Sequence, residues 1–235
     1  MILSLGQTGS GSKAGREMQG TQAGRRDSPR ARRKAAVSLL AVSLILSVDF
    51  YHQLSQTPIL DDLLLYLFTP LLIILVIFHE SPVSYGMTLE RWREGLVWTA
   101  VGAFIMVGVA WTFLRLPEFR TFYTDYFIQR DPAGGVTFGW RAVGLSGLQL
   151  FAWEFLFRGF LLFSLVDLFG FHAVWIQTVP FAMAHFGKPE WETYASIIGG
   201  VLSGWIAYRL RSFYPSWLIH WALAVGIGLL LRAGW

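Results

Sequence analysis

FAWEFLFRGFLLFSL, residues 151–165, is an apolar run interrupted by Glu154 and Arg158, four positions apart. On a helix that spacing stacks the two side chains on one face, where opposite charges meet. The rest of the composition decides which solvent surrounds the pair. Of 235 residues, 54% are hydrophobic, 16% aromatic and 14% charged, against about 25% charged in a soluble domain. The chain reads as a membrane protein.

Seven apolar segments lie at 35–53, 60–79, 94–114, 143–167, 171–187, 192–210 and 214–233, each near the roughly 20 residues a spanning helix needs. The expected fold class is all-α, a polytopic membrane helix bundle of about seven transmembrane helices in a single domain over 35–235. Residues 1–34 hold Lys13, Arg16, Arg25, Arg26, Arg30, Arg32, Arg33 and Lys34 among the 19 Lys and Arg, so the net charge of +4 is concentrated there. This Gly- and Ser-rich tail is too polar to bury a core and is expected to be disordered. Its basic residues just before an apolar run fit a cytoplasmic flank of a multi-pass cell-membrane protein. A nucleic-acid partner is not expected, because the basicity is local. With no cysteine, disulfides and thiolate zinc sites are excluded.

Two connections stand out. GMTLERWREG, 86–95, is charged and amphipathic, as expected of a segment at the bilayer interface. The longest, 115–139, mixes aromatics and charges with a Pro-Ala-Gly-Gly turn and is expected to be an interfacial loop. Ser196, Gly200 and Gly204 recur every four positions, a small-residue stripe that lets a neighbouring helix approach closely. Trp and Tyr such as Trp98, Trp175 and Trp191 read as interface anchors.

An ionisable side chain at membrane depth costs about 2.5–3.5 kcal/mol on insertion scales, so it generally faces a bundle interior and serves a purpose. Glu154 and Arg158 alone fit a structural pair that pins helices. Two histidines at membrane depth change the balance: His185 in PFAMAHFGKPEWE and His220 in YPSWLIHWALAVG. A carboxylate with two imidazoles in a dry cavity is suited to activating water and stabilising an oxyanion, or to holding a divalent metal. Straight helices place Glu154, His185 and His220 at different depths, so the turn after His185 is expected to dip into a cavity, bent at Pro180 and Gly187.

These residues resemble the CPBP group, the CAAX-prenyl-protease-like and bacteriocin-immunity-like (Abi) intramembrane proteases. The pattern there is Glu-Glu-x-x-x-Arg, Phe-x-x-x-His and His-x-x-x-Asn. This chain has Trp153-Glu154-x-x-x-Arg158, Phe181-x-x-x-His185 and His220-x-x-x-Ala224, in the same order. The resemblance covers about 84–224 and implies an intramembrane endopeptidase acting on a membrane-anchored or lipid-modified protein within the lipid bilayer. Two departures bear on the chemistry. Trp153 stands where the family's doubled motif has the glutamate taken as the water-activating base, and Ala224 replaces the terminal Asn.

The expected site is therefore Glu154, Arg158, His185, His220 and Glu192. Glu154 or Glu192 would activate water, Arg158 would orient Glu154, and His185 and His220 would stabilise the oxyanion. A divalent metal, if used, would sit on His185, His220 and Glu154. The alternative is a non-catalytic immunity or peptide-binding membrane protein. A proton-relaying transporter is a more distant third reading, and the internal repeats usual in that class are not visible.

Overall fold

The computed structural model describes residues 28–130 and 136–234. Most of the expected basic tail and the Pro-Ala-Gly-Gly turn lie outside the described residues. The first helix, α1 (Pro29–Tyr51), begins ahead of the expected boundary at 35 because Ser28 caps it, its hydroxyl accepting from the Ala31 amide at 3.1 Å, with Pro29 at the first position. Arg30, Arg32, Arg33 and Lys34 are thus part of the first helix. Lys34 is buried and contacts Glu80 at 2.9 Å, while Arg30 reaches the same carboxylate at 2.8 Å. Burial alone would raise Glu80, but the Tyr85 hydroxyl and the Lys34 ammonium hold its carboxyl below the usual range.

The next helices are α2 (Pro58–Phe78), which contains π-helical turns, and α3 (Trp92–Phe113). The segment 86–95 is a turn leading into α3, and its charges bind the far end of the bundle: Arg91 donates to the Arg209 carbonyl at 2.7 Å, and Arg209 pairs with Glu94 at 3.0 Å. After α3 comes a correction to the expected loop. Residues Pro117–Phe127 form a helix, α4, followed by a short antiparallel ribbon of β1 (Ile128–Arg130) and β2 (Val136–Phe138). Phe119, Tyr123 and Phe127 recur every four positions, and Phe119 and Phe127 are buried against Ala110, Val143 and Ile227.

The core-forming run is α5 (Trp140–Glu154), a π-helical turn (Phe155–Leu161) and α6 (Leu162–Phe169). Gly170, at φ +56, ends it in a backbone that a Cβ disfavours. Then α7 (Ala173–Met183) folds back, so that Phe157 meets Phe181 at 5.3 Å between ring centroids and Trp153 meets His185 at 5.7 Å. Two further helices, α8 (Glu190–Leu210) and α9 (Tyr214–Arg232), complete the bundle.

The class is all-α, and the protein is a multi-pass membrane protein. Five helices are long and apolar enough to cross a bilayer, so the count of seven is not recovered as such. The fourth and fifth expected segments fall within one helical run, Trp140–Met183, folded at Gly170, and α8 is not among the five. Gly, Ser and its terminal charges dilute the hydropathy of α8.

What α8 lacks in apolarity it supplies in close packing. Ser196, Gly200 and Gly204 are buried, and α7 lies against them. A Cβ on Gly200 would meet Thr178 Cγ2 at 2.9 Å, and one on Gly204 would collide with the Gln177 amide. That amide is itself committed, donating to the Gly200 carbonyl at 3.0 Å. Gly204→Val is expected to lower unfolding stability by about 1–3 kcal/mol through overpacking. Gly199→Ala, whose Cβ meets only Met106 Cε at 3.9 Å, is expected not to. Thermal unfolding of the two variants in one detergent checks the contrast.

Candidate active site

The π-helical turn begins directly after Glu154, and such turns within helices are frequent at functional sites. Glu154 is 1% exposed and Arg158 0%, so each charge depends on protein partners alone. Arg158 Nη1 donates to Glu154 Oε1 at 3.2 Å, and the guanidinium carbon lies 3.6 Å from the Phe181 ring centroid. The same Glu154 oxygen accepts from His220 Nδ1 at 2.8 Å. Glu154 Oε2 and Arg158 Nε and Nη2 are buried and meet no side-chain or backbone partner among the described residues.

The His220–Glu154 contact fixes a tautomer. A carboxylate only accepts, so Nδ1 carries the proton, and the neutral ring presents Nε2 as an acceptor. His185 is set in the same way: its Nδ1 lies 2.8 Å from the Phe181 carbonyl, which also only accepts. The two imidazoles are nearly parallel, with ring centroids 6.4 Å apart and planes at 15°. The expected grouping of Glu154, Arg158, His185 and His220 in space is present, although of the four only Glu154 and His220 line the cavities described below. It arises from the folding back of α7 rather than from equal positions along the helices. His185 lies in the turn after α7, braced by the Thr193 hydroxyl, which donates to its carbonyl at 2.9 Å.

Glu192 faces the same region. Its Oε1 pairs with Lys188 at 3.1 Å and its Oε2 accepts from the Tyr123 hydroxyl at 2.8 Å. Glu154, Glu192 and His220 line a cavity of about 70 Å³ that continues in apolar walls from α3, α8 and α9. A second cavity, of about 150 Å³, adjoins it and is lined by Trp153, Lys188, Glu192, His220 and Ala224. Both have room for water. Among the described residues no three His, Asp or Glu side chains are grouped so as to hold a metal ion, so Glu154, His185 and His220 do not fit as a ligand set in this arrangement.

Two site residues were not read from the sequence. Tyr123 lay in the segment expected to be a loop, although the spacing of Phe119, Tyr123 and Phe127 carried the helical signal. Asp62 on α2 receives Gln149 Nε2 at 2.6 Å and Trp153 Nε1 at 3.3 Å. No local pattern links positions so far apart in the chain. Trp153, at the departure from the doubled glutamate motif, thus fills the space between Asp62 and His185, with the Lys188 ammonium 5.4 Å from its ring centroid.

A multi-pass helix bundle that buries a carboxylate, a guanidinium and one imidazole, with a second imidazole half-buried, beside water-sized cavities has the makings of an intramembrane hydrolase. Residues 135–225 match the Rce1-like family model, that of the type II CAAX prenyl endopeptidases. This part of the chain is similar to an Rce1-like domain, in keeping with the CPBP group that the motifs resemble, and it contains Glu154, Arg158, His185, Glu192 and His220. The match supports a CAAX-protease-like membrane endopeptidase with a membrane-protein substrate. No curated protein and no solved structure matches the chain.

Proposed function

We propose that the protein is an intramembrane endopeptidase in which the Glu154–His220 pair activates the attacking water. The observation that carries this reading is the 2.8 Å contact from His220 Nδ1 to Glu154 Oε1, which leaves His220 Nε2 free to take a proton at the cavity. Glu154 Oε1 already accepts from both Arg158 and His220. Glu154 therefore acts through the imidazole, holding it in one orientation and stabilising its protonated form. Water gives a proton to His220 Nε2, and its oxygen attacks the peptide carbonyl carbon. The carbon–nitrogen bond then breaks, and the imidazolium returns the proton to the leaving amine.

Arg158 positions Glu154, and Glu192 is the second carboxylate of the cavity, held by Lys188 and Tyr123. His185 serves as a second acceptor through Nε2, or as an oxyanion donor when protonated. The substrate is a membrane-anchored or lipid-modified protein whose peptide enters from the bilayer. The N-terminal basic flank supports a cytoplasmic position for that end.

One observation favours a second reading. Trp153 packs edge-on against His185 where the family's doubled motif has a carboxylate, as a non-catalytic peptide-binding or immunity protein would allow. The readings part in one experiment. Purified protein in detergent is incubated with S-farnesylated CAAX peptides and with a library of membrane peptides, and products are read by mass spectrometry. The peptidase reading expects a discrete internal cleavage that is insensitive to chelator. Peptide binding with no cleavage anywhere in the library would favour the binding protein.

A further inference from the structure

Behind Trp153, on the side away from His185, lies a cavity of about 430 Å³ into which Asp49, Asp61 and Asp62 all face. Asp61 and Asp62 are each 6% exposed, whereas Asp49 sits at the open rim. Their hydrogen bonds come only from neutral donors: Leu54 N to Asp61 Oδ2 at 3.0 Å, Tyr66 to Asp49 at 2.6 Å, and Gln149 and Trp153 to Asp62. No lysine or arginine pairs with any of the three among the described residues. Asp61 Oδ1 is buried and has no hydrogen-bond partner among the described residues. Elsewhere in the molecule buried charges are matched, as Glu154 is by Arg158 and Lys34 by Glu80. Burying carboxylates without a lysine or arginine beside them is costly, and with His52 alone among the lining residues able to carry positive charge the cavity favours a cation. A metal ion is a poor fit, because no three carboxylates or imidazoles here are grouped as a metal-binding set. The space instead suits an organic cation, a guanidinium or ammonium on a flexible chain.

Its position gives the cation a purpose. Gln149 and Trp153 line this cavity and also the one that contains His220 and Glu192. The Trp153 indole spans the gap: its Nε1 is 3.3 Å from Asp62 Oδ1, and its ring centroid is 5.7 Å from that of His185. At roughly 3.3–3.6 Å per residue of extended chain, a peptide crossing that indole advances about three residues. We infer that the Asp49–Asp61–Asp62 cavity is a specificity subsite that takes an arginine or lysine side chain of the peptide, about three residues from the bond presented to His220. The word substrate rests on the peptidase reading above, whereas the cation subsite rests on these carboxylates. Trp153 then forms the wall between reaction centre and subsite, which gives the replacement of the family's first glutamate a physical role.

The test uses the full-length protein in detergent and fluorescein-labelled apolar octapeptides that carry one arginine at successive positions, each paired with its neutral citrulline isostere. Fluorescence anisotropy is expected to show about tenfold tighter binding of the arginine peptide at one register. The advantage should shrink below about twofold in Asp61→Asn/Asp62→Asn, partly in Asp49→Asn, and with rising salt. Thermal unfolding confirms that the variants are folded, and rim residue Asp49 gives a substitution that leaves the buried pair intact. Equal binding of arginine and citrulline at every register overturns the inference, as does an advantage that survives Asp61→Asn and Asp49→Asn in folded protein. Cleavage is measured on the same peptides. An arginine preference in binding without cleavage supports the subsite and removes the peptidase reading. Cleavage indifferent to charge removes the subsite and leaves the peptidase.

Discussion

Glu154→Gln is expected to lower peptide turnover by about 10²-fold or more, the scale of lost general acid–base assistance, and His220→Ala to do at least as much. Both follow from one contact. The glutamine amide keeps the size of the carboxylate, but it neither stabilises a protonated His220 nor fixes the tautomer by accepting alone. The double variant should be little worse than either single one, because residues that act as a unit are not additive. Glu192→Gln separates the two carboxylates. If Glu154 acts with His220, Glu192→Gln reduces turnover much less, since it disturbs only Tyr123 and Lys188. A larger loss in Glu192→Gln than in Glu154→Gln, at equal thermal stability, would move the base to α8.

The second large effect is on stability. Arg158→Leu leaves Glu154 fully buried with only His220 beside it, and breaking a buried pair from one side typically costs about 3–5 kcal/mol. The double variant Glu154→Gln/Arg158→Leu removes both charges and should recover a substantial part of that loss, because a buried pair replaced as a whole is often close to neutral. A double-mutant cycle from unfolding in one detergent measures the coupling. Additive losses in the cycle would mean that the two side chains do not share one environment, contrary to the 3.2 Å contact. The activity of the double variant should remain lost, which separates positioning from scaffolding.

Much of the site was legible in residues 151–224 because its members lie on apolar helices, where a charge or imidazole stands out by cost. Glu154 and Arg158 showed themselves by their spacing, and His185 and His220 by their apolar surroundings. Their mutual contact was not legible. Sixty-six positions separate Glu154 and His220, and the approach depends on the fold-back at Gly170 and on how α9 docks against α5. The helix over Pro117–Phe127 was not legible because charges such as Glu118, Arg120 and Asp125 masked the stripe of Phe119, Tyr123 and Phe127. Asp62 was hidden for a different reason: an Asp-Asp pair at the start of an apolar run looks like a helix end, and only packing brings it to Trp153.

The central claim is that water, polarised by the Glu154–His220 pair, attacks the peptide carbonyl directly. The most direct measurement is a single-turnover cleavage in ¹⁸O-labelled water with enzyme in excess over peptide, the product masses read at once. Direct attack predicts one ¹⁸O in the new C-terminal carboxylate on the first turnover. Unlabelled oxygen in that carboxylate would come from a protein carboxylate through an acyl-enzyme, and would contradict the account.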